Sequence, residues 1–207
     1  MSDSSRPAVD HPIVFVKGRG AGSNRPSRYL RDQPADDPDL EPSARRTEVT
    51  ERQAKSILNR NQSPDLEFDF TINPYQGCEH GCVYCFARPT HAYLNLSPGL
   101  DFETRLFAKV NAAEVLRKEL SRRDFRPGIV ALGAATDAYQ PIDRQYMLAR
   151  QVLEVLAEFD VAVGITTKSA LVTRDIDILA PMAAKGLVRV HMSIPTLDHA
   201  LSRRLDP

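Results

Sequence analysis

The sequence has little of several residue types that mark special environments. It contains only three cysteines and no tryptophan, and aromatic residues make up 7% of it. Lysine plus arginine and aspartate plus glutamate both number 27, so the formal net charge is zero. A balanced charge gives no bulk field that draws a protein to nucleic acid or to an anionic membrane. Only a local basic patch is left as a basis for such binding.

Long apolar runs and a leader pattern are also missing. No apolar run approaches the roughly 20 residues of a membrane-spanning helix. The start, MSDSSRPAVDHPIVF, lacks the basic region and long apolar core of a secretory signal. Apolar residues make up 42% and charged residues 26%, as in ordinary globular proteins. We expect a cytoplasmic protein with no membrane partner.

Residues 1–63 have the composition of a disordered or extended segment. They include GRGAGSNRPSRY and DQPADDPDLEPSARR, which are rich in Pro, Gly, Ser, Asp and Arg. Such stretches bury too little apolar surface to offset the entropy that is lost on ordering. We therefore divide the chain into an N-terminal segment, 1–63, and a folded core, 64–207.

Four short apolar stretches in the core predict β-strands, and each is followed by a helical pattern. LEFDFTI alternates apolar and polar residues, and IVAL is a continuous apolar run typical of a buried parallel strand. Right-handed crossovers place such strands parallel, with the helices on one side. The predicted fold class is α/β, a partial (β/α) TIM-like barrel of parallel strands with about four βα units present. The predicted strands are 66–72, 129–132, 161–167 and 187–193, and the predicted helices are 103–122, 143–159, 173–186 and one within LDHALSRRL.

All three cysteines lie in one loop directly after the first predicted strand, with the spacing C-x3-C-x2-C. An odd number of closely spaced cysteines is typical of metal binding rather than of a disulfide framework. Thiolates are the ligands of [4Fe–4S] clusters, and three of them leave one iron without a protein ligand. An open position of this kind is what catalysis at a metal requires. The predicted cluster ligands are Cys78, Cys82 and Cys85.

Other uses of the cysteines compete with the cluster. Zinc needs a fourth ligand, which His80 or His91 could supply, although neither has the usual zinc-finger spacing. A dithiol pair of Cys82 and Cys85 leaves Cys78 unexplained. Three buried structural cysteines are unusual in a Gly-rich polar loop. The residues favour the cluster and leave zinc open.

The cysteine spacing, with Tyr84 just before the last cysteine, resembles the signature of the radical S-adenosylmethionine (SAM) superfamily. The stretch SPDLEFDFTINPYQGCEHGCVYCFARPTHAYL resembles a bacterial branch related to spore photoproduct lyase, often labelled DNA repair photolyase. GRGAGSN, SPGLDFET, TDAYQP, TTKSALVTRD and SIPTLD are similar to that branch as well. The resemblance extends over nearly the whole chain.

The resemblance implies an enzyme that uses a [4Fe–4S] cluster and SAM. An electron from the reduced cluster cleaves SAM to methionine and a 5′-deoxyadenosyl radical, which abstracts hydrogen from a substrate in a lyase-like reaction. The electron donor is expected to be a protein such as flavodoxin or ferredoxin. The resemblance places Tyr84, Thr136, Lys168 and Ser193 at positions that contact SAM. It also makes 64–207 the N-terminal part of the partial barrel, incomplete because the chain stops within the last predicted helix.

Two observations bear on the substrate. Spore photoproduct lyase has a hydrogen-donating cysteine near the end of the second strand, where this chain has Ala134, so repair by that mechanism is not expected. The region 103–126 is rich in Arg and Lys and could contact nucleic-acid phosphate, although a solvated helix face is the preferred interpretation. A nucleic-acid substrate is therefore an expectation from the resemblance. The alternative function is a non-catalytic nucleic-acid-binding module stabilised by zinc or a cluster.

Overall fold

Two β-sheets organise the chain in this computed structural model, which describes residues 18–24 and 46–207. The strands are β1 (Glu48–Arg52), β2 (Asn59–Arg60), β3 (Phe70–Ile72), β4 (Tyr75–Gln76), β5 (Arg105–Lys109), β6 (Val130–Leu132), β7 (Val163–Thr167) and β8 (Val188–Met192). The larger sheet has the order β2-β3-β6-β7-β8, and the smaller sheet has the order β1-β5-β4.

Helices connect most of these strands. They are α1 (Leu100–Thr104), α2 (Ala112–Leu120), α3 (Asp143–Tyr146), α4 (Leu148–Glu158), α5 (Ile176–Ala184) and α6 (His199–Leu205), with 3-10 helices at Arg88–Leu94 and Ala170–Asp175. Within the described residues, no helix combines the length and apolarity that crossing a membrane requires.

The four predicted strands are present and form the parallel part of the larger sheet. Phe70 pairs with Val130, Val130 with Val163, and Val163 with Val188, in one row across β3, β6, β7 and β8. The four predicted strands are parallel to one another, but the sheets are mixed, because β2 pairs antiparallel with β3 and β4 pairs antiparallel with β5. The connection from β2 to β3 is too short for a crossover, which leaves the antiparallel pairing. The fold is α/β with mixed sheets.

The predicted helix at 103–122 is wrong in its first half. Residues 105–109 form β5, which lies between β1 and β4. Leu106, Phe107 and Ala108 are all buried there, and strands on both sides satisfy their backbone groups. Helical spacing could not reveal this strand, because β1 comes from a distant part of the sequence. The helix begins only with α2.

Part of the segment predicted to be disordered or extended, 1–63, belongs to the fold. β1 pairs with β5 along its whole length, and Ile57 is fully buried in the apolar core. Of the two predicted alternatives, 48–60 is therefore extended and ordered, and composition did not reveal this because the partners of these residues are distant in the sequence. Residues 1–17 and 25–45 lie outside the described part of the chain. The domain boundary at residue 63 stays a prediction.

The predicted helix at 143–159 is interrupted. Met147 has a positive φ of 53°, which ends α3 and begins α4. The Asp143 side chain stabilises the break, since its Oδ1 accepts a hydrogen bond from the Ala149 amide at 3.0 Å. The predicted helix at 173–186 begins as the 3-10 turn and continues as α5.

One face of the parallel sheet is packed against helices. Ile72, Leu132 and Ile165 come from three neighbouring strands and are at most 1% exposed. They belong to one apolar cluster with Leu116 of α2 and Leu153 of α4. Each such side chain contributes about 1.5–3 kcal/mol when it is fully buried. This face, called the outer face below, is the main core of the molecule.

Candidate metal centre

The cysteine loop, residues 77–85, follows β4 and presents three free thiols. Cys78 and Cys82 are 7% and 8% exposed, and Cys85 is half-buried. The Cys85 amide donates to the Cys82 carbonyl at 3.2 Å, and the Cys78 amide donates to the Phe102 carbonyl of α1 at 2.9 Å. These bonds fix the backbone at each cysteine.

Two glycines allow this backbone path. Gly77 and Gly81 have φ values of +79° and +63°, a region that L side chains rarely adopt. A Cβ on Gly77 would lie 2.8 Å from the Phe102 carbonyl oxygen, and one on Gly81 would lie 2.9 Å from a Glu103 carboxylate oxygen. The loop is therefore wrapped tightly against α1 because it has no side chain at these positions.

The thiols face a cavity of about 990 Å³, a volume in the range of ligand sites. The cavity borders the inner face of the parallel sheet, opposite the helices, where Ala131, Gly164 and Thr166 lie. A Cβ built on Gly164 would meet nothing within 4 Å, so the floor is open there. The lining includes every residue that was predicted as a ligand or SAM contact: Cys78, Cys82, Cys85, Tyr84, Thr136, Lys168 and Ser193.

The thiols need a positive partner to serve as ligands. Burial raises the pKa of Cys78 above its ordinary range and raises the pKa of Cys82 to about 12, with the Asp206 carboxylate adding to the shift at Cys82. Metal ligation requires the thiolate, and a metal supplies the charge that stabilises it. Three thiols at the edge of one open cavity, two of them buried and one half-buried, fit an iron–sulfur cluster with one exposed iron.

The two histidines that were considered as zinc ligands have other partners. His80 Nε2 lies 3.2 Å from Asp137 Oδ2, and His91 Nε2 lies 2.9 Å from the Arg105 carbonyl oxygen. Burial lowers the pKa of His91 and keeps it neutral. Among residues 18–24 and 46–207, no three His, Cys, Asp or Glu side chains converge on one metal ion. A four-iron cluster does not need such convergence, because each thiolate binds a different iron.

Lys168 brings three of the predicted residues together. Its Nζ donates to the Tyr84 hydroxyl and lies 3.4 Å from Ser193 Oγ. The same Nζ lies 3.4 Å from Asp206 Oδ2, and the Tyr84 hydroxyl donates to Asp206 Oδ1 at 2.9 Å. Burial acts to lower the pKa of Lys168, but Tyr84, Cys82 and Asp206 outweigh it and raise the pKa. A positive charge therefore lies beside the cysteine loop.

Thr136 makes a hydrogen bond to the backbone, whereas the side chains around Lys168 bond to one another. It is 5% exposed, and its hydroxyl donates to the Tyr75 carbonyl at 3.0 Å. Asn73 Oδ1 accepts a hydrogen bond from the neighbouring Ala135 amide at 2.8 Å. The Thr136 side chain borders the cavity, but its hydroxyl joins the ends of β4 and β6.

The sequence did not single out two acidic residues that the fold places at this site. Asp137 accepts hydrogen bonds from the Thr167 hydroxyl at 2.7 Å and from the Lys168 amide at 2.9 Å, which joins the ends of β6 and β7. Asp206 reaches the cysteine loop because the Val83 amide donates to the Leu205 carbonyl at 3.0 Å. Asp137 lies in the motif TDAYQP, which was a usable signal, whereas no local pattern marks Asp206.

Comparisons with known proteins give the family. The chain is 42% identical over 153 residues to an uncharacterized protein of Mycobacterium tuberculosis, an alignment that covers 73% of this chain and 45% of the relative. It is 25% identical over 160 residues to an uncharacterized protein of Methanocaldococcus jannaschii, covering 77% of this chain and 56% of the relative. An uncharacterized protein of Acidianus two-tailed virus is 26% identical over 155 residues, covering 73% and 50%.

The chain thus spans about half the length of the curated relatives that it matches. No solved structure gives a significant match. The family model described as the radical SAM superfamily matches residues 72–207, which include the cysteine loop, the strands β6, β7 and β8, and Lys168. This protein belongs to the radical SAM superfamily, whose members use a [4Fe–4S] cluster and S-adenosylmethionine.

Proposed function

We propose that this chain binds the [4Fe–4S] cluster of a radical SAM enzyme through Cys78, Cys82 and Cys85. The observation that carries the proposal is that these thiols and Lys168 border one cavity above the inner face of the parallel sheet. When bound, the cluster and SAM supply a reductively generated 5′-deoxyadenosyl radical that removes hydrogen from a substrate. The electron donor, a protein such as flavodoxin or ferredoxin, and a cytoplasmic location belong to the same proposal.

Lys168, Tyr84 and Ser193 are assigned to the carboxylate end of SAM. The support is chemical, because the Asp206 carboxylate already lies against Lys168 Nζ and the Tyr84 hydroxyl. A carboxylate therefore fits between these two donors, and SAM carries the same group. Charge-assisted hydrogen bonds of this kind are stronger than those between neutral groups. Thr136 is assigned to the wall of the same pocket, where its hydroxyl binds the Tyr75 carbonyl instead of the ligand.

The strands β3, β6, β7 and β8 are proposed to be the first part of a partial barrel that surrounds the cavity. Their parallel register supports this assignment. The small residues on the inner face, Ala131 and Gly164, support it as well because they leave room for a ligand. The protein's part in the chemistry is then to hold the cofactor and exclude water from a reactive radical.

A lyase-like reaction on a nucleic-acid-related substrate, as in the branch related to spore photoproduct lyase, is the finer part of the proposal. Besides Lys168, Arg189 lines the cavity, and a cationic side chain suits a phosphate-bearing substrate. Ala134 also lines the cavity, at the position where spore photoproduct lyase has its hydrogen-donating cysteine. The proposed reaction therefore does not use a cysteine at this position as hydrogen donor.

The test is anaerobic reconstitution with iron and sulfide, followed by metal analysis and EPR spectroscopy of the reduced protein with and without SAM. We expect about four iron and four sulfide per chain and an EPR signal that changes when SAM is added. Cys82→Ala should abolish the signal. Ser121→Ala is the matched control, since Ser121 is exposed and hydrogen-bonds only to Arg117 in its own turn.

Two results would contradict the proposal. One zinc per chain with no iron would favour the nucleic-acid-binding module. A stoichiometric cluster whose EPR signal ignores SAM would show that the cavity does not hold the cofactor in this chain.

A further inference from the structure

Two sequence motifs without an assigned role dock on each other behind the cysteine loop. The first is GRGAGSN, residues 18–24, called the strap below. The second, SPGLDFET, contains α1, whose residues are all buried. The Asn24 side chain donates to Asp101 Oδ1 at 3.0 Å and accepts from the Asp101 amide at 2.9 Å. Arg19 donates to the Glu103 carbonyl at 2.7 Å. The strap is therefore bound to α1 by specific polar contacts.

Glu103 joins the strap to the cysteine loop. Its side chain is fully buried, and its two carboxylate oxygens accept hydrogen bonds from the Gly20 amide at 3.0 Å and the Ala21 amide at 2.9 Å. The same carboxylate pairs with the Arg88 guanidinium. A buried carboxylate requires such partners, since an unpaired charge away from water is strongly destabilising.

Arg88 extends the connection to the cysteines. Its Nη2 donates to the Gly81 carbonyl and to the Cys82 carbonyl, each at 3.0 Å, and its Nε donates to the Cys82 carbonyl at 3.1 Å. The guanidinium fork therefore fixes the two peptide groups on either side of the central cysteine. Lysine could carry the charge but not this forked geometry.

The strap also presses directly on the loop. A Cβ built on Gly20 would lie 1.7 Å from the Gly81 carbonyl oxygen, so only glycine allows this approach. Gly81 in turn has space for no side chain, because Glu103 and the Gly20 amide are beside it. Strap, Glu103 and cysteine loop are thus packed as one unit.

We propose that the strap, acting through Glu103 and Arg88, holds the cysteine loop in the conformation that binds the cluster. Glu103 and Arg88 are positioning residues, which act on the cluster through the backbone at Cys82. This inference rests on the proposed binding of the cluster by the cysteine loop. It goes beyond that proposal by giving a role to an N-terminal segment that lies outside the matched region 72–207.

The test compares four variants of the full chain with the wild type. Gly20→Ala introduces the clash with Gly81, Glu103→Gln removes the buried charge, and Arg88→Lys keeps the charge without the fork. Arg117→Gln is the matched control, because it breaks an exposed ion pair with Glu158 on the outer helices. Two rates are measured: alkylation of each cysteine in the metal-free protein, mapped by mass spectrometry, and loss of the reconstituted cluster to a chelator. Urea unfolding of each variant separates local from global effects.

We expect Cys82 to be alkylated about tenfold faster, or more, in Gly20→Ala, Glu103→Gln and Arg88→Lys, the factor that corresponds to losing one hydrogen bond to a charged group. Cluster loss should accelerate by a similar factor, while Arg117→Gln behaves as the wild type. The inference is overturned when folded variants keep wild-type rates. It is also overturned when all three cysteines become faster by one common factor that follows the urea midpoint, which is general destabilisation.

The two proposals can fail separately. A wild type that takes up no cluster contradicts the proposed function, yet the alkylation rates in the metal-free protein still decide whether the strap holds the loop. Glu103→Gln can fail to fold, since it alters a buried ion pair. Gly20→Ala leaves that pair intact and therefore keeps the inference testable.

Discussion

The two faces of the parallel sheet use the same strands for different purposes. On β7, Val163 and Ile165 are 3% and 0% exposed and pack in the core of the outer face. Gly164 and Thr166 alternate with them and border the cavity. Successive side chains of a strand point to opposite faces, which explains the alternation.

Stability and the space for a ligand therefore depend on different residues of one strand. Large aliphatic side chains on the outer face contribute burial energy, whereas small or polar side chains on the inner face leave space. Substitutions on the outer face should therefore change unfolding, and substitutions on the inner face should change binding. Substitutions on each face therefore test this division of roles.

The largest expected effect on stability is from Leu153→Ala on the outer face. Leu153 is fully buried in α4, and removing such a side chain leaves a cavity that costs about 2–5 kcal/mol of unfolding free energy. Urea unfolding followed by circular dichroism measures the loss. Leu197→Ala is the control, because Leu197 is 88% exposed and should change stability by less than about 0.5 kcal/mol. Equal losses in both variants would show that the helices do not form the main core.

The next effect concerns ligand binding on the inner side. Lys168→Gln removes the positive charge beside Tyr84 and Ser193, and we expect the affinity for SAM to fall by about ten- to a hundredfold. Equilibrium binding of SAM to the reconstituted protein measures it. Lys185→Gln serves as control, because Lys185 pairs only with Asp160 at the surface. An unchanged affinity of Lys168→Gln for SAM would show that Lys168 does not contribute to SAM binding.

His91 gives a pH-dependent effect in the region beneath the cysteine loop. Burial lowers its pKa from the ordinary 6.5. Below about pH 6.5, His91 therefore binds a proton more readily in the unfolded chain than in the folded chain. Stability therefore rises with pH across this range and is lost as the pH falls, by at most about 1.4 kcal/mol per pH unit for one group. Between pH 7.5 and 5.5, His91→Gln should lose about 1 kcal/mol less unfolding free energy than the wild type, as measured by urea unfolding. Glutamine keeps a donor for the Arg105 carbonyl. The same pH dependence in both proteins would contradict this assignment.

The smallest stability change is expected from Gly164→Ala on the inner face. A Cβ there meets nothing within 4 Å, and alanine is favoured over glycine in a strand by about 0.5–1 kcal/mol. Urea unfolding should therefore show an unchanged or slightly higher stability, while SAM binding weakens because the methyl group occupies the cavity floor. A loss of stability comparable to that of Leu153→Ala would contradict the view that the outer face supplies stability and the inner face supplies space for the ligand.

Local sequence patterns correctly predicted the part of the fold in which strands and helices alternate. The four parallel strands follow from short apolar runs between helices, and the cysteine loop follows from its spacing. β5 was missed because Leu106 and Val110 have helical spacing. These residues form a strand because they pair with β1, which is distant in the sequence. Glu103 was missed at the site because a glutamate near the start of a predicted helix is ordinarily solvated, whereas here the strap amides bury it.

Local sequence patterns were enough to predict the α/β class and a metal-binding loop with three thiols, since cysteine spacing and strand alternation are local properties of the chain. The residues that surround the cysteines, in contrast, follow from the three-dimensional fold. Asp206 and the strap lie far from Cys82 in sequence, yet both contact its loop. The physical reason is that a buried charge or carbonyl is satisfied by any donor that the fold brings near, and no local pattern records which donor that is.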